Sequence, residues 1–505
     1  MKKYDHRIHD LLLAAARARG DALAIIDHDD TRYSWAEMLK GAEAARDALQ
    51  ARGVRRGDRV VIVLENAAVM LAYLYGASML GVAACPVNAR LSGPELGRIV
   101  ERGDAAAAIF TVETGEAPRA HAADYGAEPV DGPVGRVAIA LRSGTEPLPE
   151  EDDPAREVAI LLYTSGTTGA PKGAMLSQSS MVQSAAASRH ARDLVERDLV
   201  YLALPMSHVF GLATILAVTM AHGAARLEAR FDVGRLFEAL QEEITVLPAV
   251  PQMHAHLFHY ARTHGAARYG GHSLRYVSSG GAPLDPVWKR EAETFYGLPL
   301  QNGYGLTESS SGACMTRNAL GDPDISVGVA MLDSELRVDL EAQGASPNEG
   351  IGEVEIGGGQ VMLGYFRDEA ATAAAITEDG WLRTGDLGRF DEEGRLHLVG
   401  RSKEMIIHSG FNVYPVEVEA ALTEHRGVIV AAVVGRAVEG NEEVVAFVTC
   451  RPEAGLDEAG LQAFLRDRLA PYKVPSKIVI ADALPAAPTG KILKAKLLGH
   501  FADRL

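Results

Sequence analysis

Val158-Ala-Ile-Leu-Leu-Tyr-Thr-Ser-Gly-Thr-Thr-Gly-Ala-Pro-Lys-Gly173 is the stretch on which the reading of this chain turns. Val158–Leu162 is a short apolar run, the pattern of a buried strand. It feeds at once into a loop of two hydroxyl pairs, three glycines and Lys172. Glycines let backbone N–H groups approach an anion closely, hydroxyls add donors for phosphate oxygens, and Lys172 supplies a mobile positive charge. The Gly-Lys-Ser/Thr ending of a Walker-type loop is absent. A flexible surface linker has a similar composition, so the sequence on either side has to decide between the two.

Downstream, helical and strand-like segments alternate. Helices are expected at 179–192, 211–222, 232–243, 251–263 and 286–296, with strands at 199–204, 244–250, 274–278 and near Leu300. Strands separated by helices of this length imply a parallel, doubly wound sheet. Upstream the theme repeats: a helix before Leu49, a strand at 59–64, a helix, and a strand at 82–87. Near Gly352 the texture changes to short, turn-separated strands, including a hairpin over 388–401. Beyond Arg401 comes a compact α+β unit. The expected architecture is therefore α/β. A large N-terminal domain of doubly wound sheets with a distorted β subdomain spans residues 1–401, and a small α+β domain spans 402–505.

The chain has 505 residues, so a substantial core needs no metal or disulfide. Fifty Lys and Arg stand against 67 Asp and Glu, a formal charge of −17. Nucleic acid and anionic membrane both reward clustered positive charge, so neither is expected as a partner. Three cysteines without a CxxC pair fit a reducing compartment, and no signal-peptide core stands at the N-terminus. A cytoplasmic protein is expected. Two long uncharged stretches, 66–89 and 199–225, are broken by glycines, prolines and histidines. They read as buried α/β elements rather than transmembrane segments.

Other short strings follow the phosphate-type loop in order: Pro205-Met-Ser-His-Val-Phe-Gly-Leu212, Ser278-Ser-Gly-Gly-Ala-Pro-Leu284, Asn302-Gly-Tyr-Gly-Leu-Thr-Glu308, Thr384-Gly-Asp386 with Gly400-Arg401, and Pro488-Thr-Gly-Lys-Ile492. Together they resemble the adenylate-forming superfamily over nearly the whole chain, and within it the acyl-CoA synthetase branch. The resemblance implies ATP-dependent formation of an acyl-adenylate and then a CoA thioester, with AMP and pyrophosphate released. It implies ATP, Mg²⁺ and coenzyme A as co-substrates and cofactor.

By the same resemblance, Thr164, Ser165, Gly166, Thr167, Thr168, Gly169 and Lys172 hold phosphates, while Gly281, Ala282 and Pro283 flank adenine. Asn302, Tyr304, Gly305 and Thr307 form the adenine segment, ending at the Mg²⁺ ligand Glu308. Asp386 and Arg401 contact ribose, and His208 lines the acyl pocket. Lys403 is the hinge of a mobile C-terminal domain, Lys491 its catalytic lysine, and Ser409, Gly410 and Phe411 line the CoA tunnel. The chemistry agrees. Glu308 is a hard oxygen ligand suited to Mg²⁺, Asp386 can accept from vicinal hydroxyls, and Lys491 can meet charge developing on the α-phosphate.

The segment Ser309-Ser-Ser-Gly-Ala313 is small, leaving room for an acyl group. No Arg or Lys occurs in 208–211, 278–282 or 305–312, so a second buried carboxylate is expected to lack a partner. An aromatic or medium-chain monocarboxylic acid is the expected substrate. A carrier protein replacing CoA is the rival acceptor, and a homodimer is left open.

Overall fold

The computed structural model describes residues 4–164, 171–282, 284–408, 411–438, 441–451, 454–486 and 492–505. Among these, two large sheets dominate. One runs in the order Val329–Ala330, Ser311–Met315, Leu300–Leu306, Tyr276–Gly280, Val246–Ala249, Leu199–Leu202, Ala224–Leu227, Leu23–Ile26, Arg32–Ser34. The other runs Gly364–Tyr365, Lys172–Ser177, Val158–Thr164, Ala83–Asn88, Arg59–Leu64, Ala107–Phe110, Gly135–Leu141, Glu128–Gly132. Their central strands are parallel and their outer strands antiparallel.

The central strands are apolar on both faces, as helix-covered parallel strands must be. In Arg59–Leu64, Val60 and Ile62 enter the main core, which also contains strands of the other sheet, while Val61 and Val63 enter a second core. Between the sheets lie uncharged or amphipathic helices, among them Ala68–Leu80 and Val209–Ala221. These account for the two apolar stretches. Among the described residues no helix is long and apolar enough to cross a membrane.

A four-stranded antiparallel sheet of Glu335–Asp339, Gly352–Gly357, Leu382–Phe390 and Leu396–Arg401 follows, with irregular registers at 353–355 and 387–388. These irregularities are the distortion expected of the β subdomain. Beyond it, Val428–Val438, Asn441–Cys450 and Lys477–Ile480 form a small sheet. Helices Pro415–Thr423 and Glu458–Arg466 share one of its cores, and Lys494–His500 belongs to the other.

One element differs from expectation. The strand Lys172–Ser177 returns antiparallel on Val158–Thr164, with Lys172 opposite Thr164. The phosphate-type loop therefore joins two strands of a hairpin, and the return strand fills the stretch before the expected helix at 179–192, to which the sequence assigned no element. Lys172 is fixed by a sheet ladder at its end of the loop.

Candidate functional site

The site grows from the strand Leu300–Leu306. Its partner strand slips in register between Tyr304 and Gly305, and a Cβ at Gly305 would stand 1.7 Å from the Ser311 carbonyl oxygen. Only glycine allows this close crossing of backbones, and the crossing turns the Tyr304 side chain toward the β subdomain. There the Tyr304 hydroxyl donates to Asp386 Oδ2 at 2.5 Å, and Arg401 Nε donates to Asp386 Oδ1 at 3.0 Å. Asp386 and Arg401 are cross-strand partners. The Asp386 amide is held by Thr384 Oγ1 (3.0 Å), whose hydroxyl donates to the Val354 carbonyl (2.7 Å). Burial pushes the Asp386 carboxyl up, an effect that Arg401 and the Tyr304 hydroxyl partly offset. Burial, with Asp386 beside it, raises Tyr304 far above an ordinary phenol, so its hydroxyl is a fixed donor.

Three residues on, a 3₁₀ turn, Thr307–Ser309, carries Glu308. The turn is pinned by Ser309 Oγ, which accepts from the Leu306 amide (3.0 Å), and by the Glu308 carbonyl, which accepts from the Met362 amide (2.8 Å). Glu308 Oε1 accepts from the Tyr365 hydroxyl at 2.7 Å. The same Tyr365 ring lies 5.1 Å from Lys172 Nζ. Tyr365 reaches both because Gly364–Tyr365 pairs with the strand that Lys172 begins. Among the described residues neither Glu308 nor Lys172 makes an ion pair. One aromatic side chain thus stands between the expected metal carboxylate and the expected phosphate lysine. No sequence signal pointed to Tyr365, which follows a glycine in an ordinary turn-rich stretch.

His208 is the N-cap of Val209–Ala221, and its Nδ1 accepts from the Phe210 amide at 3.2 Å. That bond leaves the proton on Nε2. The residue is exposed, yet enough protein surrounds the ring for desolvation to push its pKa down, so it stands neutral. Gly281 adopts φ +79° and, with Ala282, is exposed at the end of Tyr276–Gly280. Asn302 is buried, its amide donating to the Ser326 carbonyl at 3.0 Å. That bond braces the strand that carries Tyr304.

Lys403 is exposed in the turn Ser402–Glu404, directly after the Arg401 that Asp386 holds. Phe411 is exposed and stacks on Tyr472, ring centroids 4.5 Å apart. Ser165, Gly166, Thr167, Thr168, Gly169, Pro283, Ser409, Gly410 and Lys491 lie outside the described residues.

Arg192 also reaches this region, unforeseen by the sequence reading. It ends the helix Gln178–Ala191, is 3% exposed, and places its guanidinium 5.7 Å from the Phe210 ring centroid. The segments 208–211, 278–282 and 305–312 hold no Arg or Lys, but Arg192 brings a cation to this region from the neighbouring helix, so a second carboxylate here would not be without a candidate partner.

Residues 12–366 match the family described as AMP-binding enzyme, and residues 417–491 its C-terminal domain. Over 94% of both chains, this protein is 32% identical to a long-chain-fatty-acid–CoA ligase of Mycobacterium tuberculosis. It is 33% identical to a feruloyl-CoA synthase of Amycolatopsis, over 94% of this chain and 95% of that one. The structure of ATP-bound MatB from Rhodopseudomonas palustris superposes with a TM-score of 0.85 at 30% identity, covering 99% of each chain. With these matches along its length and the Tyr304–Asp386–Arg401 and Glu308–Tyr365–Lys172 arrays beside one another, the chain belongs to the AMP-binding enzyme family and is an AMP-forming acid–thiol ligase, making CoA thioesters at the expense of ATP.

Proposed function

We propose that this enzyme activates an aromatic or medium-chain carboxylic acid and that the two arrays divide the work on ATP. The observation that carries this reading is the continuity of Tyr304 and Glu308 on one short segment, one side chain anchored to Asp386 and the other to Tyr365. Asp386 accepts from the ribose hydroxyls, as buried carboxylates do for ribose. The Tyr304 ring, tethered by its hydroxyl, offers a face to adenine. Lys172 and residues 164–169 are assigned to phosphate binding.

The residues present fit a magnesium ion. Glu308 is half-buried, among the described residues its Oε2 makes no hydrogen bond, and Mg²⁺ on a nucleotide uses one or two protein carboxylates plus phosphate oxygens. When bound, the metal neutralises phosphate charge so that one anion can approach another. In the first half-reaction a substrate carboxylate oxygen bonds to the α-phosphorus, the bond to the β-phosphate bridging oxygen breaks, and pyrophosphate leaves. In the second, the CoA sulfur bonds to the acyl carbon and AMP leaves with the C–O electron pair. His208, neutral with its proton on Nε2, can donate to the acyl oxygen without adding a charge. We place the domain boundary after Arg401, with Lys403 as pivot, Lys491 serving the first half-reaction, and Ser409, Gly410 and Phe411 beside the thiol's path. We also place the enzyme in the cytoplasm.

The test is acid-dependent ATP–pyrophosphate exchange, followed by thioester assay with CoA and, separately, with a phosphopantetheinyl carrier protein. Exchange with CoA-thioester formation is expected. Exchange with transfer only to the carrier would overturn the CoA assignment.

A further inference from the structure

The helix Gln178–Ala191 ends in a cation that the protein leaves only partly satisfied. Arg192 Nη1 donates to Ser188 Oγ (2.5 Å) and weakly to the Ser188 carbonyl (3.4 Å). Nε is fully buried with no acceptor, and no described group accepts from Nη2. Among the described residues no carboxylate pairs with Arg192. A helix C-terminus and the Phe210 face both favour a cation here, by modest amounts. A buried charge without a counter-ion costs several kcal/mol, and structural arginines in cores are normally paired.

The guanidinium neighbours Phe210 and, through Tyr276, the strand Tyr276–Gly280. Strand alternation puts Tyr276, Ser278 and Gly280 on one face. At the end nearest His208, Phe210 covers Gly280, where an added Cβ would stand 3.2 Å from the ring. At the other end the Tyr276 hydroxyl donates to Met315 Sδ at 3.0 Å. Between them Ser278 Oγ is buried and has no hydrogen-bond partner. Two buried polar groups, Arg192 Nε and Ser278 Oγ, are thus left unsatisfied in one layer, next to the residue that follows His208 by two. Buried polar groups are almost always paired, and an unpaired one calls for an explanation such as a water, an ion or a role in function.

We propose that Arg192, with Ser278, selects acids bearing a second oxygen acceptor, a carboxylate or a ketone, away from the reacting carboxylate. This rests on the ligase reading above and names the substrate class of the same site. Plain alkyl or aryl tails would leave the guanidinium stranded, so discrimination against them follows from unpaired donors as well as from lost contacts.

Exchange rates should be compared for acids of one shape: hexanoate, its keto analogue and the dicarboxylate of equal length, with longer and aryl-capped sets of the same design. Wild type should favour an oxygenated acid over the plain one by about tenfold or more in kcat/KM, the scale of hydrogen bonds to a charged group. Arg192→Met should lose that preference while keeping or improving the plain acid, and Arg192→Lys should keep part of it. Melting temperatures check folding, and if Arg192→Met does not fold, the wild-type and Arg192→Lys preferences decide. Equal or better use of plain acids by wild type, or a uniform loss across each set in Arg192→Met, overturns the proposal alone. No exchange with any acid overturns the ligase reading and this inference with it.

Discussion

Lys172, at the start of a strand, and Glu308, on a 3₁₀ turn, carry opposite charges, and Tyr365 stands between them by bonding one and offering its ring to the other. A direct ion pair would have to be broken before a phosphate–metal pair could enter. An aromatic spacer leaves both charges available, since a cation–π contact at a partly exposed site is worth only about 1 kcal/mol and a phenol hydrogen bond to a carboxylate about 2 kcal/mol. Burial and then the Glu308 charge push the Tyr365 phenol up, so it remains a donor across the working range. Replacing Glu308 with Gln removes the charged metal ligand, and exchange should fall at least tenfold (on the order of 1.4 kcal/mol per factor of ten). Tyr365→Phe keeps the ring and loses only the tether to Glu308. Its expected signature is a several-fold higher Mg²⁺ concentration for half-maximal exchange, with near-normal rate at saturation. Magnesium titration of both variants decides the matter. An unchanged requirement in Tyr365→Phe means that the hydroxyl does not position the carboxylate.

Helices with a fixed start were legible residue by residue. Pro251–Thr263 and Pro286–Tyr296 begin with proline at the first position, where the missing N–H costs nothing, and both match the sequence reading. The strand Arg59–Leu64 was equally plain, being an apolar run with a charge at its start. The return strand Lys172–Ser177 was not, because Lys-Gly-Ala-Met-Leu-Ser has neither alternation nor β-branched residues. Its pairing comes from its neighbour. The site divides the same way. Each motif residue could be named, but the meeting of Tyr304 with Asp386, or of Glu308 with Tyr365, spans 82 and 57 residues. Such contacts are set by sheet order, and no local pattern encodes them.

Between the elements the packing makes its own pH-dependent contribution. His254, on Pro251–Thr263, is 1% exposed. Its Nδ1 meets the Tyr296 hydroxyl at 2.8 Å and its Nε2 the Ser278 carbonyl at 3.2 Å. Burial pushes its pKa down to about 4 from 6.5, only slightly opposed by the Ser278 carbonyl. The folded-state value is depressed, so the stability is present above 6.5 and is lost as pH falls toward 4, where the unfolded chain takes the proton first. The loss comes to about 3 kcal/mol across that window. His254→Gln should show a shallower acid-side fall in melting temperature than wild type. Parallel curves would mean that other groups dominate.

At the scale of the whole chain, the small domain is tied to the proposed pivot through Lys494. Its Nζ contacts Glu404 Oε2 at 3.0 Å, one residue past Lys403, and Glu419 Oε1 at 2.8 Å. Desolvation pulls the Lys494 ammonium down, but the two carboxylates outweigh it and the pKa is raised, keeping the triad charged and intact. The residues flanking 487–491 are also pinned, by the bridge of Ala486 with Ile492 and by the Leu493 amide on the Pro485 carbonyl (2.9 Å). If the domain turns about Lys403, these anchors turn together and carry Lys491 toward or away from the phosphates as one body. Lys491 should then serve adenylation only. Removing one preorganised charge from a closed site costs ~3 kcal/mol, about a hundredfold in rate. Lys491→Ala should therefore form almost no adenylate from acid and ATP, yet convert supplied acyl-adenylate and CoA to thioester near the wild-type rate. Lys403→Pro should show the opposite loss if it arrests the adenylating orientation, since proline fixes φ near −65°. Both half-reactions should be measured on both variants, with circular dichroism to confirm folding. A folded Lys491→Ala enzyme that fails in thioester formation as badly as in adenylation would mean that the lysine stays at the reacting centre throughout, and that the domain does not rotate between the steps.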